Sequence, residues 1–157
     1  MNAFGISSLY IITSIILGVS NAQIPWTTKC VNQYELTFFN DTRKNYDGAK
    51  AACESLRGYL AKVDNERMTY VINATFELDD SINTYFIGGN DRTTEGYWKW
   101  QDGTDVNMRE GVGYQNWRHG QPNNYGAGED CLMVGINTYH WVDSRCGDKL
   151  FYICQSG

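Results

Sequence analysis

The chain is poor in residues that carry out metal-dependent or nucleophilic catalysis. Its two histidines are His119 and His140. Neither stands in a zinc-binding His-Glu-x-x-His pattern, and no Gly-x-Ser-x-Gly nucleophile pattern occurs. Carboxylates are plentiful, but no pattern marks a pair with separated acidities. We therefore expect that the protein is not an enzyme, and we interpret His140, which precedes Trp141, as a packing residue.

Basic clusters are also missing, and long apolar runs are scarce. The chain has 13 Lys and Arg against 18 Asp and Glu, a net charge of −5, and no Lys/Arg cluster, which excludes nucleic acid as a partner. One apolar stretch, residues 6–19, has the length of a signal-peptide core and is too short to cross a bilayer comfortably. Small residues follow at Ser20 and Ala22. We predict a signal peptide at residues 1–22 and a secreted, extracellular protein that has no membrane partner.

No Pro/Ser-rich linker, charged run or internal repeat divides the remaining residues, 23–157, which we assign to one domain. The acceptor sequons at Asn40 and Asn73 are candidates for N-glycosylation, as suits a secreted chain.

Two helices are predicted in the first half of the chain. Apolar residues repeat at spacings of three and four over residues 46–57 and 65–77, and the first stripe turns Cys53 inward. Gly58 is expected to end the first helix, and Asp64 is expected to cap the second.

Short strands are predicted in the rest of the chain. They lie at residues 34–38, 85–88, 97–100, 131–134, 140–142 and 151–154, with an extended link at 59–63. Between Trp100 and Cys131 lie 30 residues with almost no strand signal, and a stretch this long is usually functional. We predict an α+β fold with a long functional loop.

Five cysteines leave one over after two bridges, and spacing alone does not fix which pairs form. The order of motifs adds information. It runs from Gly58-Tyr59-Leu60-Ala61 through Phe86-Ile87-Gly88-Gly89, Tyr114-Gln115-Asn116-Trp117, Gly120-Gln121-Pro122-Asn123-Asn124, Gly128-Glu129-Asp130-Cys131 and Trp141-Val142-Asp143 to Tyr152-Ile153-Cys154. Over nearly the whole chain after the signal peptide, this order resembles the C-type lectin domain.

The resemblance implies a fold of two helices, small antiparallel sheets and a long ligand-binding loop, stapled by disulfides. It pairs Cys53 with Cys154 and Cys131 with Cys146. Longer family members carry another pair at the amino end, but this chain lacks the second partner, which would fall near Glu35. Cys30 is thus left over. We favour an interchain disulfide that makes a homodimer, and a capped or buried thiol is the alternative.

The resemblance also implies a calcium site that binds sugar. Gln121, Asn123, Glu129 and Asp143 match the principal calcium positions, and Pro122 would follow a cis peptide bond. In the family, two neighbouring sugar hydroxyls become calcium ligands and hydrogen-bond to the same protein groups. Val142 replaces the usual Asn of this motif, which removes one oxygen ligand.

A second departure is that Gln121 and Asn123 are both amides, where the family usually has one carboxylate. Since carboxylates tune calcium affinity, we expect weaker binding than in typical members, and sugar binding without calcium remains an alternative. An auxiliary calcium site of the family is matched by Asp91, Glu95, Asn124, Glu129 and Asp130. The alternative is that Asp91 and Glu95 lie on a solvated turn and bind nothing.

The sugar is not decided by Gln121-Pro122-Asn123, which is a hybrid of the family's mannose-type and galactose-type motifs. Tyr125 stands where galactose-type members often place an aromatic residue that stacks on the sugar, so we favour galactose or N-acetylgalactosamine over mannose. We expect a role in innate immune recognition or agglutination. The alternative is the same fold used to bind protein or matrix partners without calcium-dependent sugar recognition, for which Val142 is the best argument.

Overall fold

The computed structural model describes residues 26–31, 34–76, 84–108, 113–135 and 140–157. The predicted signal peptide, residues 1–22, lies outside the described residues. The helices and strands are Trp26–Val31 (β1), Tyr34–Lys44 (β2), Tyr46–Ser55 (α1), Tyr59–Leu60 (β3), Glu66–Phe76 (α2), Thr84–Asn90 (β4), Lys99–Trp100 (β5), Cys131–Gly135 (β6), Trp141–Ser144 (β7) and Leu150–Ser156 (β8). Neither helix is long and apolar enough to cross a membrane, as judged over these residues.

Helix α1 forms where the apolar stripe predicts it, and Cys53 is fully buried on its inner face. Asn45 caps its start by accepting a hydrogen bond from the Gly48 N–H at 3.0 Å. At its end, the left-handed residue is Arg57 (φ 60°) and not Gly58. Gly58 is needed for a different reason, because a Cβ there would lie 2.4 Å from the Gln155 carbonyl oxygen.

Helix α2 also lies where it is predicted, and it buries Met68, Ile72 and Phe76. The expectation that Asp64 caps this helix is wrong. Asn65 holds that position, because its side-chain oxygen accepts from the Met68 N–H at 3.0 Å.

The strands join into one hydrogen-bonded sheet in the order β1-β2-β8-β4-β6-β7, with β3 paired to β8 and β5 paired to β4. The pairs are antiparallel except β4–β8, which is parallel. Strand β1 was not predicted, and the predicted strand at 97–100 is shortened to Lys99–Trp100. These features confirm the α+β fold of two helices, antiparallel strand pairs and a long loop.

Both disulfides that the resemblance implies are present. Cys53–Cys154 ties α1 to β8 across 101 residues of sequence, and Cys131–Cys146 ties the start of β6 to the segment after β7 across 15. Each lies against a buried core cluster that also contains Tyr46 and Phe86. The two bridges therefore tie the first helix to the last strand and close the base of the long loop.

The long loop is anchored by tryptophans. The Trp117 ring packs edge-on against Trp98, with centroids 5.0 Å apart, and against Trp141, at 5.7 Å. The backbone follows the same contact, since Trp141 N–H donates to the Asn116 carbonyl at 2.7 Å and Arg118 N–H donates to the Trp141 carbonyl at 2.9 Å. The loop thus meets β7 directly beside Val142 and Asp143.

Candidate functional site

Asp143 is the best-fixed residue of the predicted principal site. It lies on β7, opposite Leu132 of β6, and is 2% exposed. One carboxylate oxygen, Oδ2, accepts hydrogen bonds from the backbone N–H groups of Asn123 at 2.8 Å and Asn124 at 2.6 Å. The other, Oδ1, is buried and has no hydrogen-bond partner among the described residues. Because buried carboxylate oxygens are normally paired, Oδ1 is suited to a ligand from outside the chain.

Gln121 contributes a second buried oxygen of the same kind. Its side-chain Oε1 has no hydrogen-bond partner within the described part of the chain. The peptide bond between Gln121 and Pro122 is cis, as the resemblance implies. The segment that carries Gln121 continues directly into Asn123, whose backbone is bonded to Asp143. Two unsatisfied oxygen acceptors therefore belong to one connected unit.

Glu129 completes the charged part of this unit, and its Oε2 accepts from the Tyr125 N–H at 3.0 Å. The turn between these two residues is held by Asn124, whose Oδ1 accepts from Gly128 N–H at 2.6 Å and Glu129 N–H at 3.0 Å. Asn124 and Ala127 both have positive φ angles, 46° and 55°. The side-chain hydrogen bonds thus stabilise a backbone conformation that is uncommon for residues with a Cβ.

Val142 lies next to Asp143 on β7, paired in register with Met133 of β6. Its side chain is half-buried and carries no oxygen. No group of three or more His, Cys, Asp or Glu side chains in the described ranges is arranged to hold a metal ion. Any cation at the principal position must therefore draw on amide or backbone oxygens in addition to Glu129 and Asp143.

The residues of the predicted auxiliary site are also brought together. Asp91 is 3% exposed, so it does not lie on a solvated turn as the alternative holds, although Glu95 is exposed. Asp91 Oδ2 accepts from the Gly96 N–H at 2.8 Å, and its Oδ1 is buried with no partner among the described residues. The Asp91 N–H donates to the Asp130 carbonyl at 3.2 Å.

Electrostatics at Asp91 are unfavourable for the free carboxylate. Burial raises the pKa of the Asp91 carboxyl above its usual value, the hydrogen bond from Gly96 opposes this, and the charges of Glu95 and Asp130 add to the increase. Asn124 joins this group to the principal one, because its Nδ2 donates to Glu95 Oε2 at 2.6 Å. Both side-chain atoms of Asn124 are therefore engaged within the protein.

Comparison with known proteins agrees with this geometry. Residues 42–156 match the family model for the lectin C-type domain. The chain belongs to the C-type lectin family. A perlucin-like protein of Mytilus galloprovincialis is 34% identical over 138 residues, which cover 85% of this chain and 82% of that relative. The galactose-specific lectin nattectin of Thalassophryne nattereri is 29% identical over 117 residues, covering 74% and 70%.

A solved structure gives the same result. The carbohydrate-recognition domain of the mouse scavenger receptor C-type lectin matches with a TM-score of 0.71 and 27% identity, covering 82% of this chain and 94% of that one. The chain is thus a member of a family of carbohydrate-binding domains and not of enzymes.

Three further sequence predictions concern the surface of this C-type lectin domain. Tyr125 is 74% exposed at the tip of the turn before Glu129. Cys30 is free and exposed on β1, so the buried-thiol alternative is wrong, and its partner in register on β2 is Glu35. Of the sequons, Asn40 is exposed on β2, whereas Asn73 lies on α2 with its side-chain oxygen buried.

His140 is not a packing residue. It is exposed, and its Nδ1 forms a 2.9 Å hydrogen bond with Asn116 Oδ1. Together with Arg118, His119 and Gln121 it lines a groove. Sequence reasoning missed this group because its members lie about twenty residues apart, on the loop and before β7. The one available signal is that both histidines of the chain lie within two residues of a tryptophan of the loop–β7 contact, His119 near Trp117 and His140 beside Trp141.

Proposed function

We propose that this C-type lectin domain is a secreted, calcium-dependent lectin that binds galactose-type sugars. The observation that carries the proposal is the buried Oδ1 of Asp143, which has no partner while Oδ2 is held by Asn123 and Asn124. A carboxylate that is buried and half satisfied is a destabilising feature unless a ligand completes it.

The donor set fits calcium, which takes six to eight oxygen ligands. Gln121 Oε1, Asn123 Oδ1, the Glu129 carboxylate and Asp143 Oδ1 would hold the ion, with water and backbone oxygens completing the set. Bound calcium would supply coordination positions for two neighbouring sugar hydroxyls. Because Glu129 and Asp143 alone carry charge here and Val142 adds no oxygen, we expect affinity at the weak end for extracellular calcium sites, with Kd about 0.1–1 mM.

We assign a second calcium ion to the auxiliary group, although its carboxylates are not arranged as a metal site among the described residues and would have to reorient to reach the ion. Asp91 Oδ1 is buried without a partner, and the nearby charges of Glu95 and Asp130 disfavour the free carboxylate, so a cation there relieves both costs. Asn124 already uses both side-chain atoms within the protein, so we assign it the role of shaping the turn between the two ions.

The preference for galactose or N-acetylgalactosamine rests on Tyr125. The ring is 74% exposed and adjoins the turn that carries Glu129, so it is available to stack on the apolar face of a sugar. The relative named as a galactose-specific lectin supports the same preference. Mannose-type sugars are the second choice, because Gln121-Pro122-Asn123 is a hybrid motif.

A second candidate function is binding of a protein or matrix partner without calcium-dependent sugar recognition. Val142 and the two-carboxylate site favour it, because both reduce calcium affinity. The two candidates make opposite predictions for the effect of a chelator.

We further propose that residues 1–22 direct secretion, that residues 23–157 form the mature domain, and that Asn40 is the better glycosylation site of the two.

Cys30 would link two copies of the chain through a disulfide, since it is exposed and its register partner on β2, Glu35, cannot form one with it. Bivalent sugar binding would suit agglutination or innate recognition of microbial glycans. Non-reducing electrophoresis tests the dimer, and monomer mobility without reductant would contradict it.

Column chromatography tests the lectin proposal. The mature protein is passed over immobilised galactose and immobilised mannose in calcium-containing buffer and eluted with EDTA. We expect retention on galactose and release by the chelator. Absence of binding to every glycan of an array, with and without calcium, would contradict the lectin function and favour the second candidate.

A further inference from the structure

A groove of about 410 Å³ opens beside the proposed sugar site, within the size range of ligand sites. Its lining includes Asn116, Trp117, Arg118, His119, Gln121 and His140. Gln121 belongs both to this groove and to the principal site, so the two are adjacent. A glycan held at Gln121 could therefore extend into the groove with its next sugar residue.

The groove carries positive charge on a protein that is otherwise acidic. The net charge of the chain is −5, yet none of the described residues that line the groove is acidic. Arg118 is exposed, and none of the ion pairs found among the described residues engages its guanidinium. His119 and His140, the two histidines of the chain, are exposed in the same groove.

The frame of the groove is rigid. Arg118 is fixed on both sides, because its N–H donates to the Trp141 carbonyl at 2.9 Å and its carbonyl accepts from the Gln121 N–H at 2.9 Å. The Trp117 ring is held by its Nε1–H, which donates to the Asn107 carbonyl at 3.2 Å. His140 is oriented by Asn116, whose side-chain oxygen accepts from Nδ1 and leaves Nε2 for another partner.

From this geometry we propose that the groove is a subsite for an acidic group attached to the galactose-type residue at the principal site, either a sulfate ester or the carboxylate of a next sugar residue. The proposal rests on the proposed lectin function. A guanidinium binds sulfate or carboxylate oxygens through paired hydrogen bonds, and the exposed ring of His119 can add a donor beside it. A neutral sugar would gain nothing from the charge of this groove.

The test compares three lactose-based probes by calorimetry in calcium-containing buffer: lactose, 6′-sulfolactose and 6′-sialyllactose, in which the galactose keeps its neighbouring 3- and 4-hydroxyls free for calcium. We expect at least one acidic probe to bind about three- to tenfold more tightly than lactose. About 1 M salt, where the Debye length is about 3 Å, should abolish this preference. Tighter binding of sulfolactose alone identifies a sulfate subsite, and tighter binding of sialyllactose alone a carboxylate subsite.

Variants locate the subsite. Arg118→Gln, and separately the double variant His119→Gln/His140→Gln, should lower the acidic-to-neutral affinity ratio toward one at unchanged Tm. Arg118→Lys should retain part of the ratio, because it keeps the charge but not the paired hydrogen bonds. Lys50→Gln, on α1 and outside the groove, is the matched charge control and should leave the ratio unchanged.

Each contrary result has a distinct meaning. Equal affinity for all three probes in the unmodified protein would overturn the subsite and leave the lectin function standing. A preference for the acidic probes that persists in both groove variants would overturn the assignment of the subsite to this groove. Binding of no probe, with or without calcium, would overturn the lectin function and the subsite together.

Discussion

Asp143 and Asn123 are joined by a hydrogen bond of 2.8 Å, in which the backbone N–H of Asn123 donates to one oxygen of the Asp143 carboxylate. The bond connects the rigid strand β7 to the loop segment that carries Gln121 and Asn123. It also fixes the orientation of Asp143, so that its second oxygen remains buried without a partner among the described residues. The proposed calcium site is therefore organised before any ion binds.

Restoring an oxygen at position 142 should strengthen calcium binding. Val142→Asn places an amide beside Asp143, where the family usually has Asn, and we expect calcium affinity to rise about three- to tenfold. Val142→Leu is the control, because leucine has a branched shape similar to that of asparagine but no side-chain oxygen. Calcium titration followed by intrinsic tryptophan fluorescence measures both variants. Equal affinities for Asn and Leu at this position would contradict the mapping of the site.

Removing the exposed aromatic ring at the tip of the turn should weaken galactose-type binding alone. Tyr125→Ala is expected to reduce affinity for N-acetylgalactosamine about three- to tenfold, the range of an aromatic contact, with no loss for mannose. Tyr125→Phe should retain most of the affinity. Tyr97→Ala, which removes a ring that is 70% exposed outside the site, is the control. An equal loss for both sugars would show that Tyr125 acts on the turn and not on the sugar.

The inner disulfide should matter for ligand binding as well as for stability. It closes 15 residues of sequence, and its loss costs about 3 kcal/mol in the loop-entropy model, or about 10 °C in Tm. Because Cys131 follows Asp130 directly and Cys146 lies three residues after Asp143, the double variant Cys131→Ala/Cys146→Ala should also bind calcium more weakly below its Tm. Calorimetry at low temperature checks this. Unchanged calcium affinity would mean that the bridge is a stability element only.

Asp102 should make stability depend on acid pH. Burial raises the pKa of its carboxyl, but hydrogen bonds from Lys62 and Thr104 outweigh this effect and lower the pKa to about 2. A carboxyl whose folded-state pKa lies below its unfolded-state value stabilises the fold above about pH 4, and this contribution is lost as the pH falls toward 2.

Thermal unfolding tests this account of Asp102. Asp102→Asn should lower Tm by about 1–3 °C at pH 7, since the pair is partly exposed, and the difference should vanish as the pH falls from 4 to 2. Asp105→Asn is the control. It removes the ion-pair partner of Lys99, and because Asp105 is more exposed than Asp102, the substitution should change Tm little. A difference between Asp102→Asn and the unmodified protein that stays constant down to pH 2 would contradict the assignment.

The helices and several strands were predictable because their apolar residues repeat with a clear period. The periods at residues 46–57 and 65–77 correspond to α1 and α2, and Cys53 faces inward as expected. The helix ends were less predictable. A cap depends on which of two adjacent polar side chains reaches the first free N–H, and Asn65 does so in place of Asp64.

That the residues of the candidate site lie close together was predictable from the motifs, but their hydrogen bonding was not. The motif resemblance names Gln121, Asn123 and Asp143, yet no sequence pattern tells which oxygens are paired inside the protein and which are left unsatisfied. The exposure of His140 was also hidden, because it depends on how the loop meets β7. Such facts arise from contacts between residues far apart in sequence.

The most direct measurement of the central claim is a calorimetric titration of calcium, with N-acetylgalactosamine present, into the unmodified domain and into Asp143→Asn. Asn preserves an acceptor for the N–H groups of Asn123 and Asn124 but removes the charge and, with it, much of the attraction for a hard cation. The account predicts saturable calcium and sugar binding by the unmodified domain and loss of both in Asp143→Asn at near-equal Tm. Identical isotherms for the two proteins would contradict it.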